Sequence, residues 1–289
     1  SNVNVFFQRN GFDKIHGLGA TVAGKKGGHS HNNGISIELS GKGYALGVES
    51  GRGASYWTTD HAQYNSKFPS HNTVIVNGKS TSGNAYDLLD NYPASQQNEG
   101  YFPLVTYANV YMDESTTGSD QKRLTSIIRT GSSTGYFVDI FRSKQRAGGD
   151  LKHEYFYHNQ GVFADTRITD TSKVLLALQT THELTSAGEQ LAGYDYFNNE
   201  KSIYYIKDFI ATFMFTVSVV NTYMKMLMNG NIGRKIYLAE GPKAGGFDFF
   251  PSSIRNLTVP VVVVKQTGEA WSRPFIGVFE SYSSSEPES

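Results

Sequence analysis

The sequence predicts an all-β protein, a large antiparallel multi-sheet β-sandwich, and three observations lead there. The first is a succession of short alternating or β-rich runs broken by Gly, Asn, Asp and Ser clusters. The second is composition: aromatic residues reach 13%, with 18 Tyr and 18 Phe beside 30 Gly, a profile suited to pleated sheets joined by many turns. The third is the lack of long 3.6-residue periodicity, which leaves only AYDLLDNY and NTYMKMLMNG as short helix candidates.

The strands follow in order. VFFQRNG begins the chain as a strand, and ISIELS and YALGVES flank the turn signal GKG, the pattern of a hairpin. TVIVNGKST follows PSHN, and SIIRTGSSTGYFVDIF reads as a hairpin around GSSTG. HEYFYH, KVLLALQTTHEL, FIATFMFTVSV, KIYLAEG, VPVVVVKQ and PFIGVFESY continue the series. Residues 1–280 are expected to form one sandwich domain, and the polar segment 281–289 a disordered tail.

Charge and composition narrow the function. Twenty-six basic and 26 acidic residues leave the formal net charge at zero, which removes the basic excess that nucleic-acid or membrane-surface binding needs. With no cysteine, a metal would have to be held by histidine and carboxylate. The most apolar stretch, Asp208 to Val220, is too short to span a bilayer. The glycine-rich pieces lack the GK[ST] ending of a phosphate loop, and no G-x-S-x-G elbow is present.

Histidines carry the remaining signal. His29 and His31 stand two apart in GGHSHNN, and in a strand such residues share a face about 6–7 Å apart. The hairpin turn would bring Glu49 back towards them, and His71, ahead of an apolar strand, would add another nitrogen. Two histidines and a carboxylate make a zinc-type donor set, although paired histidines also decorate exposed strands and a lone Glu49 would be a solvated carboxylate. His153 and His158 fall on opposite faces of one strand and are read as structural or surface residues. His16, His61 and His182 have no persuasive partners in the sequence.

RNG near the start, HSHNN, GVESG with Tyr56 shortly after, and SHNTVIVNG together resemble the heparinase II/III-like polysaccharide lyases, including the oligo-alginate lyases, in their β-sheet domain. KHEYFYH and RPFIGVFESY are similar to that family's closing strands. The resemblance implies that His29 lines the catalytic cleft. It implies zinc as cofactor on His31, Glu49 and His71, with Glu49 standing where the family commonly has Asp, and it gives the zinc a supporting role. It also implies β-elimination on an acidic, uronic-acid-containing polysaccharide or oligosaccharide such as heparan sulfate or alginate, and a periplasmic or secreted location. Arg52 and Tyr56, in GRGASYW, are candidates for binding the acidic sugar, with loop and packing roles as the plainer reading. The family joins this domain to an N-terminal α/α-toroid that supplies a tyrosine and an Asn-His pair, and no long helical hairpins occur here, so the isolated chain is expected to bind weakly and cleave negligibly.

Two other classes remain open. A cupin-like metal-dependent oxygenase also uses His-x-His, Glu and a later His, but Glu49 lies 18 residues beyond His31, farther than the usual cupin spacing. A non-catalytic carbohydrate-binding module would account for the abundant Tyr and Phe. Metal content separates the three: iron or manganese for the oxygenase, tight zinc for the lyase module, none for simple binding.

Overall fold

A computed structural model describes residues 4–11, 13–27, 30–49, 51, 53, 55–82, 84–93, 103–167, 175–243 and 252–286. In chain order the strands are β1 (Val5–Asn10), β2 (Leu18–Ala23), β3 (Ser36–Gly41), β4 (Tyr44–Gly47), β5 (Val74–Val76), β6 (Asp87–Tyr92), β7 (Val105–Glu114), β8 (Ser119–Arg129) and β9 (Gly135–Gln145). They continue as β10 (Lys152–His158), β11 (Val162–Arg167), β12 (Gln179–Thr180), β13 (Asn198–Tyr204), β14 (Phe209–Val217), β15 (Val220–Met228), β16 (Arg234–Gly241), β17 (Val259–Thr267) and β18 (Phe275–Ser283).

They assemble into three open antiparallel sheets. One runs β1-β2-β3-β4, the second β12-β13-β16-β17-β10-β5, and the third β11-β14-β15-β18-β9-β8-β7-β6. The expected all-β sandwich is what forms, without the closed barrel of a cupin among the described strands. β2 packs over β8 and β5 over β9, so the large third sheet is the floor on which the other two lie. Period-two burial explains the layering: β9 and β18 alternate buried and half-buried residues along their length, sending Phe137, Phe141, Phe275 and Phe279 into the core. There they meet Tyr155 and Tyr157 of β10 and Val262 and Val264 of β17.

A second apolar cluster lies on the other face of the six-stranded sheet. Phe156, Tyr237, Val261 and Val263 are roofed by Tyr64, Phe68 and Tyr194. These roof residues come from short helical turns at His61–Asn65 (π-helical), Phe68–Ser70 and Ala192–Tyr196 (both 3-10). The roof matters because the candidate site grows from its edge.

The GKG hairpin forms as expected. Lys42 and Gly43 both adopt positive φ (53° and 84°), the conformation that matches a two-residue turn to strand twist. Both helix candidates are corrected. NTYMKMLMNG is β15, where Thr222, Met224, Met226 and Met228 point inward and Tyr223, Lys225 and Leu227 outward: the alternation overrides the helical propensity of Met and Leu. AYDLLDNY is the edge strand β6, so exposed that it carries no period at all. Of KVLLALQTTHEL, the part from Leu175 onward is described, and only Gln179–Thr180 pairs as strand.

The expected tail is ordered as far as it is described. Residues 281–283 complete β18, and Glu286 binds Lys42 at 2.8 Å and His16 at 2.6 Å, anchors that a composition-based reading cannot see. No helix of the described residues is long and apolar enough to cross a membrane.

Candidate functional site

Three segments converge where the first sheet meets the edge of the roof. His31 comes from the irregular stretch between β2 and β3, Glu49 lies two residues past β4, and His71 caps the 3-10 turn Phe68–Ser70 ahead of β5. Strand alternation is therefore not what places His31. Gly34 turns this stretch with φ +61°, and a Cβ there would stand 2.5 Å from Thr73 Oγ1 and 2.8 Å from Phe68 Cε1, so only glycine lets the loop lie against the His71 segment.

His71 Nδ1 pairs with Glu49 Oε2, and Glu49 Oε1 accepts the Asn72 backbone N–H at 3.0 Å. His71 is buried, and its Nε2 has no hydrogen-bond partner. The His31 ring lies 5.4 Å from the His71 ring, centroid to centroid. Burial first, and then repulsion from His71 and His61, push the His31 imidazole down to about 4, so it is neutral at pH 7. Glu38 on β3 is driven the other way, up to about 7, by burial and by the charge of Glu49. Among the described residues, no three His, Asp or Glu side chains already stand in a metal-ligating arrangement.

The structure thus brings three of the predicted residues together. His29 and Arg52 lie outside the described residues. Tyr56 is 45% exposed at the rim, its ring 5.0 Å from that of His61.

Two histidines that sequence reasoning set aside belong to this neighbourhood. His61, in the π-helical turn, places its ring 5.2 Å from His31, linking Tyr56 to the cluster. His158 is fully buried beneath it, with Nδ1 3.1 Å from Asn72 Oδ1 and Nε2 3.4 Å from the Tyr64 hydroxyl. The ring also hydrogen-bonds the Pro69 carbonyl, and because Asn72 Oδ1 can only accept, the neutral ring that suits Asn72 carries its proton on Nδ1. Burial and the nearby His71 push its value down to about 3. His153 and His158 face opposite sides of β10, as expected, His153 towards Ser143 and His158 towards Asn72 and Tyr64. The sequence carried no sign that the His158 face bears the site.

His153 sits in a Ser-His-Asp line, 2.6 Å from Ser143 Oγ and 2.8 Å from Asp150 Oδ1. Ser143 and His153 are both completely buried, so the line ties β9 to β10 and offers no nucleophile to a substrate.

Comparison with known proteins shows what the chain is similar to. Residues 16–121 match the family model described as heparinase II/III-like, C-terminal. An endo-acting ulvan lyase from Formosa agariphila is 30% identical over 290 residues, an alignment covering 93% of this chain and 34% of that protein. Among solved structures, a heparinase III gene product has a TM-score of 0.54 at 12% identity, covering 98% of this chain and 35% of its own. The heparan sulfate lyase of Pedobacter heparinus has a TM-score of 0.53 at 11% identity, covering 100% of this chain and 36% of its own. The chain spans about a third of the length of these relatives. Motifs, family match and sheet architecture agree, and the chain belongs to the heparinase II/III-like polysaccharide lyase family as its C-terminal β-sheet domain.

Proposed function

We propose that this chain is the β-sheet half of a polysaccharide lyase that cleaves uronic-acid-containing polysaccharides by β-elimination in the periplasm or outside the cell. The observation that carries the reading is the convergence of His31, Glu49 and His71, in a chain 30% identical to an endo-acting ulvan lyase. Ulvan, or a heparan-sulfate- or alginate-like polymer, is the substrate class that the relatives and motifs favour.

The donor set fits zinc. His31 is neutral and partly dehydrated, His71 has a buried ring nitrogen without a partner, and Glu49 has Oε1 fixed by Asn72 and Oε2 on His71 Nδ1, the oxygen it would have to share with or turn towards a cation. Imidazole and carboxylate are zinc's usual nitrogen and oxygen ligands. We assign His31, Glu49 and His71 as those ligands; bound zinc would supply fixed positive charge that pins the His31 segment to the roof. His29, preceding this anchored residue by two, would face the cleft and serve the proton traffic or the uronate carboxylate. Arg52 and Tyr56 would hold the acidic sugar. Elimination removes the C5 proton and expels the 4-linked oxygen, so acid and base must stand together within hydrogen-bond reach of one sugar.

In the family resemblance, part of that machinery comes from an N-terminal toroid. The test measures ultraviolet absorbance of the unsaturated uronate product on ulvan, heparan sulfate and alginate, with this chain alone and with a chain carrying the family's toroid ahead of it. Turnover only with the toroid is expected. Robust turnover by this chain alone would overturn the two-part site, and absence of turnover in both on all three polymers would overturn the substrate class.

A further inference from the structure

Asn72 follows His71 in the SHN segment and takes no part in the chemistry above. It is completely buried, and each of its polar groups is engaged. The backbone N–H donates to Glu49 Oε1 at 3.0 Å, and Nδ2 donates to the carbonyls of Ile37 at 2.9 Å and Val48 at 3.1 Å. Oδ1 accepts from the His158 backbone N–H at 2.6 Å and from His158 Nδ1 at 3.1 Å. Its carbonyl accepts from Arg123 Nη1 at 2.5 Å and from the Ile37 N–H at 3.3 Å. The amide orientation follows from its partners, because two carbonyls can face only the NH2 and a backbone N–H only the oxygen.

We propose that Asn72 is the positioning residue of the site, gripped by Arg123 from one side and His158 from the other so that Glu49 offers one fixed oxygen to His71. The proposal rests on the reading of Glu49 and His71 as the functional pair. Arg123 is itself immobilised: completely buried, it binds Asp139 through Nε and Nη2 at 2.7 Å each and caps the Ile35 carbonyl at 2.5 Å. Ile35 closes the loop that carries His31, so one guanidinium fixes both the His31 and the His71 segments. Aspartate at position 72 would set a carboxylate oxygen against two carbonyls, and alanine would leave those carbonyls and the His158 donors unpaired in the interior.

Two readouts separate positioning from mere structural support. In the metal-free chain, the proton between His71 Nδ1 and Glu49 gives a downfield NMR resonance, assigned by its loss in Glu49→Ala. Cobalt(II) titration reports coordination through its visible absorption. His158→Gln, which keeps a donor towards Asn72, is expected to retain both signals. Asn72→Asp and His158→Leu are expected to shift or lose the resonance and to weaken cobalt(II) binding about tenfold or more, the usual effect of removing an orienting partner, while cooperative unfolding persists.

An unchanged resonance in folded Asn72→Asp or His158→Leu overturns the proposal. If Asn72→Asp does not fold, the His158→Gln and His158→Leu pair decides alone. Collapse of all three assigns Asn72 to the fold only and also overturns it. Wild-type chain that shows the resonance but takes up no cobalt(II) refutes the metal reading and leaves the positioning role standing on the resonance.

Discussion

Replacing Asp139 by leucine removes the counterion of a guanidinium that has no access to water. Asp139 on β9 accepts from Arg123 Nε and Nη2 at 2.7 Å each and from the Tyr155 hydroxyl at 2.8 Å, and Arg123, Asp139 and Tyr155 are all buried at 1% exposure or less. Removing one partner of such a pair costs about 3–5 kcal/mol, because the remaining charge stays desolvated and unpaired. The stranded Tyr155 hydroxyl keeps the expectation at the upper end of that range.

The double variant Arg123→Met/Asp139→Leu removes both charges and is expected to regain part of the loss. It should not regain all of it, because the carbonyls of Ile35 and Asn72 lose their shared donor, at about 1–3 kcal/mol for each buried group left unpaired. Urea unfolding of the four members of the cycle at neutral pH gives the coupling directly. A loss below about 1 kcal/mol for Asp139→Leu, or a double variant as unstable as the sum of the singles, would refute the claim that this pair is a desolvated clamp under the site.

Acid is expected to act through His158. Its value is about 3 when folded and near 6.5 when unfolded, so its contribution to stability is fully present above 6.5 and is lost as pH falls from there towards 3. The loss has a slope of up to about 1.4 kcal/mol per pH unit, and urea unfolding across that window should show a shallower slope in His158→Gln; equal slopes would reject the buried neutral imidazole. Gly34→Ala should destabilise by more than about 1 kcal/mol, since φ is +61° and the new methyl meets Thr73 and Phe68, with an unchanged melting temperature as the contrary result. In a chain carrying the toroid, His29→Ala should abolish eliminase activity while leaving zinc content intact; loss of metal with retained activity would reverse the roles assigned to His29 and His31. Tyr56→Ala there should raise KM for the acidic polymer more than it lowers kcat, and an unaltered KM would remove Tyr56 from sugar binding.

Much of the fold was legible because burial imposes a period of two, and strands such as Gly135–Gln145 and Phe275–Ser283 print it plainly. It failed where the signal was weak or conflicting. β6 is exposed along nearly its whole length, and β15 is rich in Met and Leu, which favour helices in isolation. That His31, Glu49 and His71 come together was legible as a spaced motif, while the nearness of His61 and His158 was not. His61 meets His31 only because the loop ahead of β3 is tied to the end of the π-helical turn, the Asn32 N–H donating to the Ser66 carbonyl, and His158 reaches the site through Asn72, across 86 residues of sequence. Spacing records neighbours along the chain, and these contacts arise from packing between sheets.

Zinc content tests the central claim most directly. The chain, purified, stripped with a chelator and reloaded, should hold about one zinc by elemental analysis, and His71→Ala, His31→Ala and Glu49→Ala should each lose it, with His71→Ala also losing the rise in melting temperature that zinc gives the wild type. A wild-type chain that takes up no zinc after reloading, or a His71→Ala chain that holds it as tightly as wild type, would contradict the site.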